Sequence, residues 1–303
     1  MHVKAAGKEM NLPDFLVVGA AKSGTTSLYS YLQQHPQIFM SKNKEPCFFS
    51  FAEAKEKDED IFNRINIVSD FHKYLDLFKD AGDSRIAGEA STVYLYLYEE
   101  TIKNIKKYHP HWKELKIIII IRDPAERAFS HYLNDRAGGL LNFPFEEVIE
   151  KWKSRQLSKY YNYIDYGFYY NQIKSYKDTF DQVRVYLFEN LEVNSKQLVH
   201  DLLEFLGVDS SFNIETGLKH NVSVGDKDKL LGKLIYKQNL LKELIKKFLP
   251  AGARTSIRNK ILESFAHKSQ LEGSNRKLLK EIYREDILKL QDLIHKDLTQ
   301  WLT

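Results

Sequence analysis

The sequence predicts an α/β fold in which a central parallel β-sheet is flanked by helices. Two observations carry this. Lys116–Ile121 is apolar after its first residue, and a strand without polar alternation belongs in a sheet covered on both faces. Phe15-Leu-Val-Val18 is a second short, β-branched run. It ends at Gly19 and is followed, after a Gly/Ser/Thr-rich turn, by Leu28, Tyr31 and Leu32 at helical spacing, which reads as strand, loop, helix. Further strands are expected at 85–89 and 183–188, so strands alternate with helical stretches as a parallel sheet requires.

The elements between follow from local chemistry. The Ile-rich strand stops at Arg122-Asp-Pro124, where Asp123 can cap a helix, Pro124 suits its first position and Glu126 completes a capping box. That helix is expected to stop at Gly138-Gly139. The mixed-charge run at 53–60 reads as a solvated loop or helix face and receives no function. Over 227–249, Leu230, Leu234, Leu241, Ile245 and Phe248 form an apolar stripe beside Lys233, Lys237, Lys242, Lys246 and Lys247. This is an amphipathic basic helix, read as a packed lid or flank rather than a membrane-surface helix. Pro250-Ala-Gly252 breaks it, and a final helix ends near Trp301. The expected organisation is one domain over 1–303, with an N-terminal tail at 1–13 and a helical, basic insertion at 227–273 as a candidate lid.

Composition excludes several classes. A chain of 303 residues that is 43% hydrophobic buries a core without disulfide staples. Its longest apolar runs fall far short of the roughly 20 residues of a membrane helix, so no spanning segment is expected. Residues 1–10 carry no apolar h-region, so no secretory signal is expected either. The single cysteine, Cys47, can form no internal disulfide, which favours a reducing compartment. A net charge of +4 is too mild for a nucleic-acid partner but leaves room for a local anion pocket. No His/Cys/Asp cluster has metal-ligand spacing, and no metal is expected.

The anion pocket has a candidate. Gly19-Ala-Ala-Lys22-Ser23-Gly24-Thr25-Thr26 keeps the paired glycines of a phosphate loop between a strand and a helix. Glycines let the backbone curl its N–H groups inward, and the positive helix end attracts an anion. The position after the second glycine, where a nucleoside triphosphatase carries lysine, holds Thr25; the lysine has moved to Lys22. A plain tight turn explains this combination less well than an anion site does.

Three segments in order carry a family resemblance: Phe15 to Leu28 around the loop, Lys44-Glu-Pro-Cys-Phe-Phe49, and Ile121-Arg-Asp-Pro-Ala-Glu-Arg-Ala-Phe-Ser-His-Tyr132. Similar stretches at Phe188-Glu-Asn-Leu191, Phe205-Leu-Gly207 and Trp301 extend it over nearly the whole chain. The set resembles the sulfotransferases that use 3′-phosphoadenosine 5′-phosphosulfate (PAPS), specifically the carbohydrate branch with heparan sulfate sulfotransferases and bacterial relatives. The resemblance implies a P-loop-containing, sulfotransferase-like fold. It also implies sulfuryl transfer from PAPS to a hydroxyl or amine of a sugar or small-molecule acceptor, releasing adenosine 3′,5′-bisphosphate (PAP). By resemblance Lys22, Ser23, Gly24, Thr25 and Thr26 hold the 5′-phosphosulfate, with Lys22 stabilising the leaving group. Arg122 and Ser130 hold the 3′-phosphate, and Glu45 is the general base, with His35 and His131 as rivals. Arg127, one turn before Ser130, stands outside this core set as a candidate for an ion pair behind the site. The alternatives are a P-loop nucleotide kinase or ATPase, and a PAP-binding module without catalysis.

Departures from the family pattern also shape the expectations. Where relatives often read Glu-Lys-Thr-Pro, this chain has Glu89-Ala90-Ser91-Thr92, so the task of the missing lysine falls to Lys42 or Lys44. The lysine-glycine loop of heparan-type relatives has no clean match; Lys268, Arg254 and Arg258 are the nearest candidates. The cysteine pair of some lumenal relatives is absent, which suggests a bacterial-type cytoplasmic enzyme. The cluster Tyr160-Tyr-Asn-Tyr163 and Tyr166-Gly-Phe-Tyr-Tyr170 reads as core, with stacking on an acceptor as the alternative.

Overall fold

The computed structural model describes residues 1–5, 8–52, 67–82, 85–137, 140–216 and 270–303. The expectations placed on 53–60, on Gly138-Gly139, on the helix at 227–249, on most of the insertion at 227–273 and on Arg254, Arg258 and Lys268 lie outside the described residues. Residues 1–13, expected as a tail, instead carry an antiparallel hairpin of β1 (His2–Ala5) and β2 (Lys8–Asn11), with His2 opposite Asn11 and Ala5 opposite Lys8. Its strands are four residues each and rich in polar side chains, so no hydrophobic period announces them.

The remaining strands are β3 (Phe15–Gly19), β4 (Ile38–Met40), β5 (Ile86–Ala90), β6 (Lys116–Ile121) and β7 (Val183–Leu187). They form one parallel sheet in the order β4-β5-β3-β6-β7. The four predicted strands are present within one residue of their expected ends. The edge strand β4 was not anticipated, because three residues are too few to show a period. Ile117 to Ile121 are completely buried, as a central strand covered on both faces demands. On one face Phe15, Val17, Ile118 and Ile120 meet Leu28, Tyr31 and Leu32 of the helix Thr25–Leu32 and Leu198, Val199, Leu202, Leu203 and Leu206 of the helix Ser195–Leu206. Both helices therefore bury an apolar stripe at the 3.6-residue period. The second ends on Gly207, whose φ of 78° is the left-handed stop that glycine adopts without strain.

The contacts divide the chain into two compact units. The first comprises Met1–Pro124, Phe168–Lys219 and Tyr283–Thr303 and contains the whole parallel sheet; the second comprises Ala125–Gly167 and His220–Ile282. In the second, Tyr132 and Phe129 pack on Phe145, with ring centroids 5.1 and 5.2 Å away. Tyr163 is fully buried and donates to Asp135 Oδ2 at 2.9 Å. In the aromatic cluster at 160–170, Tyr163, Tyr166 and Tyr169 are buried, so these three rings serve the cores.

Candidate active site

The strand order fixes where a ligand can sit. After β3 the chain moves to one side of it to form β4 and β5, then crosses to the other side for β6 and β7. Such a reversal opens a crevice at the carboxyl ends of the strands beside it. The loop after β3 carries Lys22; the residue after β6 is Arg122.

Local geometry makes the first loop a curl rather than an extended link. Lys22 has φ 67° and Gly24 φ 90°, both left-handed. At Gly24 this is compounded by crowding, since a Cβ there would stand 2.8 Å from Leu191 and 2.9 Å from Phe188. Gly24 is the N-cap of the helix Thr25–Leu32, so the Thr25 and Thr26 amides fall in the first turn, where a helix makes no bond of its own. The Ser23 amide is turned inward, donating to the Ala20 carbonyl at 3.2 Å. This removes it from the amides expected to face an anion. Its hydroxyl is enclosed without a hydrogen-bond partner, an orphan that a phosphate oxygen in the loop would satisfy. The donor set therefore fits a phosphosulfate.

Arg122 lies over the Phe188 ring, with its guanidinium carbon 4.9 Å from the centroid. Its own carbonyl accepts from the Tyr169 hydroxyl at 3.1 Å. Next to it, the Asp123 N–H donates to Glu189 Oε1 at 3.1 Å, which corrects the capping-box expectation. That donor was assigned to Glu126, whereas Glu126 pairs with Arg276 at 2.5 Å. Glu189 Oε1 also receives the Trp301 indole N–H at 3.1 Å. The similar segments around Arg122, Phe188 and Trp301 thus meet at one loop.

Glu45 is held by contacts that the sequence did not reveal. Its N–H donates to the Ala90 carbonyl at 2.9 Å, and its Oε2 receives the Thr92 N–H at 2.7 Å. The Thr92 hydroxyl adds longer bonds of 3.3 and 3.2 Å to the two oxygens, and the Lys44 ammonium donates to Oε1 at 2.8 Å. The carboxylate is about a quarter exposed, so its orientation is fixed while a face remains open. Of the two lysines offered for the missing family lysine, Lys44 meets Glu45. Lys42 is 70% exposed and pairs with Asp80 at 2.5 Å.

Ser130 belongs to the second unit, buried on the helix Pro124–Ala137. One turn earlier Arg127 is fully buried. It bonds to the Tyr163 carbonyl and to His131 Nδ1 and lies over the Tyr166 ring. The His131 ring packs edge-on against Tyr163 and Tyr166. His35 is buried, its Nδ1 accepting from the Gln37 N–H and its Nε2 2.9 Å from the Asp209 carbonyl. Both rival bases are thus engaged, His35 with backbone groups and His131 with aromatic rings.

Glu89 is a carboxylate whose titration the fold raises strongly. Burial pushes its carboxyl up to about 7, against hydrogen bonds from Ser91, Tyr94 and Tyr74 that favour the charged form. The folded protein therefore holds this proton more tightly than the unfolded chain. The corresponding stability is fully present below the unfolded carboxyl range and is lost as pH rises through about 7. Glu89→Gln is expected to flatten that slope, worth roughly 3 kcal/mol between its limits. Urea melts at pH 5 and pH 8 check this, and an unchanged slope in the variant overturns it.

The solved sulfotransferase from Alicyclobacillus acidocaldarius superposes with a TM-score of 0.73 at 28% identity, covering 97% of this chain and all of that one. Human bifunctional heparan sulfate N-deacetylase/N-sulfotransferase 3 is 27% identical over 96% of this chain but only 31% of its own length. A membrane-associated sulfotransferase of Dictyostelium discoideum is 29% identical over 49% of this chain and 30% of its own. The chain thus spans under a third of the length of these curated relatives. Among the described residues no helix is long and apolar enough to cross a membrane. Residues 12–289 match the sulfotransferase domain, and the chain belongs to that family.

Proposed function

We propose that this protein transfers a sulfuryl group from PAPS to a hydroxyl or amine of a carbohydrate or small-molecule acceptor and releases PAP. The observation that carries the reading is the loop at the sheet's reversal, with its lysine at Lys22 and a threonine at the triphosphatase position. Family membership and the named activities of the relatives support it. In the reaction, the acceptor oxygen or nitrogen forms a bond to sulfur while the bond from sulfur to the bridging phosphate oxygen breaks. The acceptor proton passes to Glu45. The electron pair stays on the bridging oxygen, where Lys22 and the amides and hydroxyls of the loop offset the growing charge. Arg122 and Ser130 are assigned to the 3′-phosphate, the first because its planar fork matches phosphate oxygens. Residues of both units fall within the family match, and we assign them to one catalytic domain in a reducing, cytoplasmic setting.

Lysine and backbone dipoles suffice for this dianionic group, so binding is expected to survive EDTA. Thermal-shift titrations should show stronger stabilisation by PAP than by ATP, with or without Mg²⁺. Preference for Mg-ATP would move the protein to the kinase reading. Release of PAP from PAPS with a pool of glucosamine, p-nitrophenol and N-desulfated heparin tests the chemistry. PAP binding without turnover would indicate a binding module.

Arg122→Ala should weaken PAP binding by about 1.5–3 kcal/mol, the range of a charge-assisted hydrogen bond. Adenosine 5′-phosphosulfate, which lacks the 3′-phosphate, should lose much less. Equal losses in calorimetry would make Arg122 a structural residue.

A further inference from the structure

A carboxylate that the proposed reaction leaves without a task adjoins Ala90, the residue whose carbonyl receives the Glu45 N–H. Glu89 is completely buried. Its Oε1 accepts from the Tyr94 hydroxyl at 2.7 Å and the Tyr74 hydroxyl at 3.1 Å, and its Oε2 accepts from Ser91 Oγ at 2.7 Å. Two of these donors face the Glu45 segment. Ser91 Oγ accepts the Cys47 N–H at 3.0 Å, and the Tyr94 hydroxyl accepts the Phe49 N–H at 3.2 Å. A hydroxyl has one proton to give. Because Glu89 takes it in both cases, the oxygen of each is left to receive an amide of the segment.

That segment needs holding. Glu45 has φ 63° and Cys47 φ 56°, left-handed conformations that side chains other than glycine keep only when their surroundings impose them. A buried carboxylate surrounded by neutral hydroxyls is a poor device for stability, since apolar residues would fill the space without the desolvation cost. We infer that Glu89 is a positioning residue for sulfuryl transfer: through Ser91 and Tyr94 it pins the amides of Cys47 and Phe49 and so sets the address of the Glu45 carboxylate. The inference rests on the assignment of Glu45 as the base.

The test uses the full chain, PAPS and the acceptor pool named above. Glu89→Gln keeps the shape but replaces one accepting oxygen with a donor, while Tyr94→Phe and Ser91→Ala each remove one relay. Glu89→Gln and Tyr94→Phe should lower kcat about 10- to 100-fold, the scale of an ångström's displacement of a reacting group. The Kd for PAP should stay within about twofold, because none of these groups belongs to the phosphate loop. In a Glu45→Gln background the same changes should cost nothing further, since a residue that acts through another adds no loss once that other is gone. If Glu89→Gln does not fold, Tyr94→Phe and Ser91→Ala carry the measurement. Wild-type rates in the relay variants, or losses that multiply in the Glu45→Gln background, overturn the inference and leave the base assignment standing. A fully active Glu45→Gln overturns both.

Discussion

Glu45→Gln is expected to release PAP from PAPS about 100- to 10,000-fold more slowly than the parent while binding PAP with the same affinity. The amide keeps the size of the side chain and can still accept the Thr92 N–H at the site of the present 2.7 Å bond, so the segment should hold its shape. What it cannot do is take the acceptor's proton, and general-base loss falls in this range. Single-turnover rates at saturating acceptor are the right measurement, because slow product release would hide part of the effect in steady state. A variant with near-parent single-turnover rates would remove Glu45 from the chemistry. The neighbouring Lys44→Met should show a smaller fall of the same kind, since it withdraws one of the contacts on Oε1.

Lys22→Ala should lower kcat by about 100- to 1,000-fold, the loss found when one preorganised donor to a developing charge is removed. Affinity for PAP should fall less than the rate, because the charge on the bridging oxygen grows as the bond to sulfur breaks. Alanine keeps the Cβ on which the cost of the left-handed backbone at Lys22, φ 67°, depends, so the strain is unchanged and the helix beginning at Thr25 should survive. Equal losses in rate and in affinity would mean that Lys22 grips the nucleotide alike before and during transfer, with no part in stabilising the leaving group.

What could be read from the sequence follows from how local each signal is. β6 was legible because five consecutive isoleucines admit few other placements, and the phosphate loop because its glycines, lysine and threonines are contiguous. β4 and the N-terminal hairpin were not, since strands of three and four residues leave too short a period. The capping box failed for a different reason. Asp-Pro-Ala-Glu is a sound local pattern, yet the Asp123 amide finds Glu189, a partner 66 positions away that no local rule names. The site divides in the same manner: Glu45 entered through its motif and Lys44 as its neighbour in sequence, whereas Thr92 and the Glu89 hydroxyl network depend on β5 lying beside the segment. Glu89-Ala-Ser-Thr looked like a family pattern with its lysine missing. Three of its four residues, Ala90, Ser91 and Thr92, bond directly to Glu45 or its segment, and Glu89 reaches it through Ser91.

Phe188 touches two places at once. The space a Cβ at Gly24 would need is occupied by this ring, and the opposite loop's Arg122 rests on it. One aromatic plate thus serves as a common bearing for the arginine and for the turn of the phosphate loop, and neither can be adjusted alone. A side chain forced in at Gly24 displaces the plate and tilts the arginine with it. A change in the loop after β3 is therefore passed on, through one ring, to the residue that follows β6.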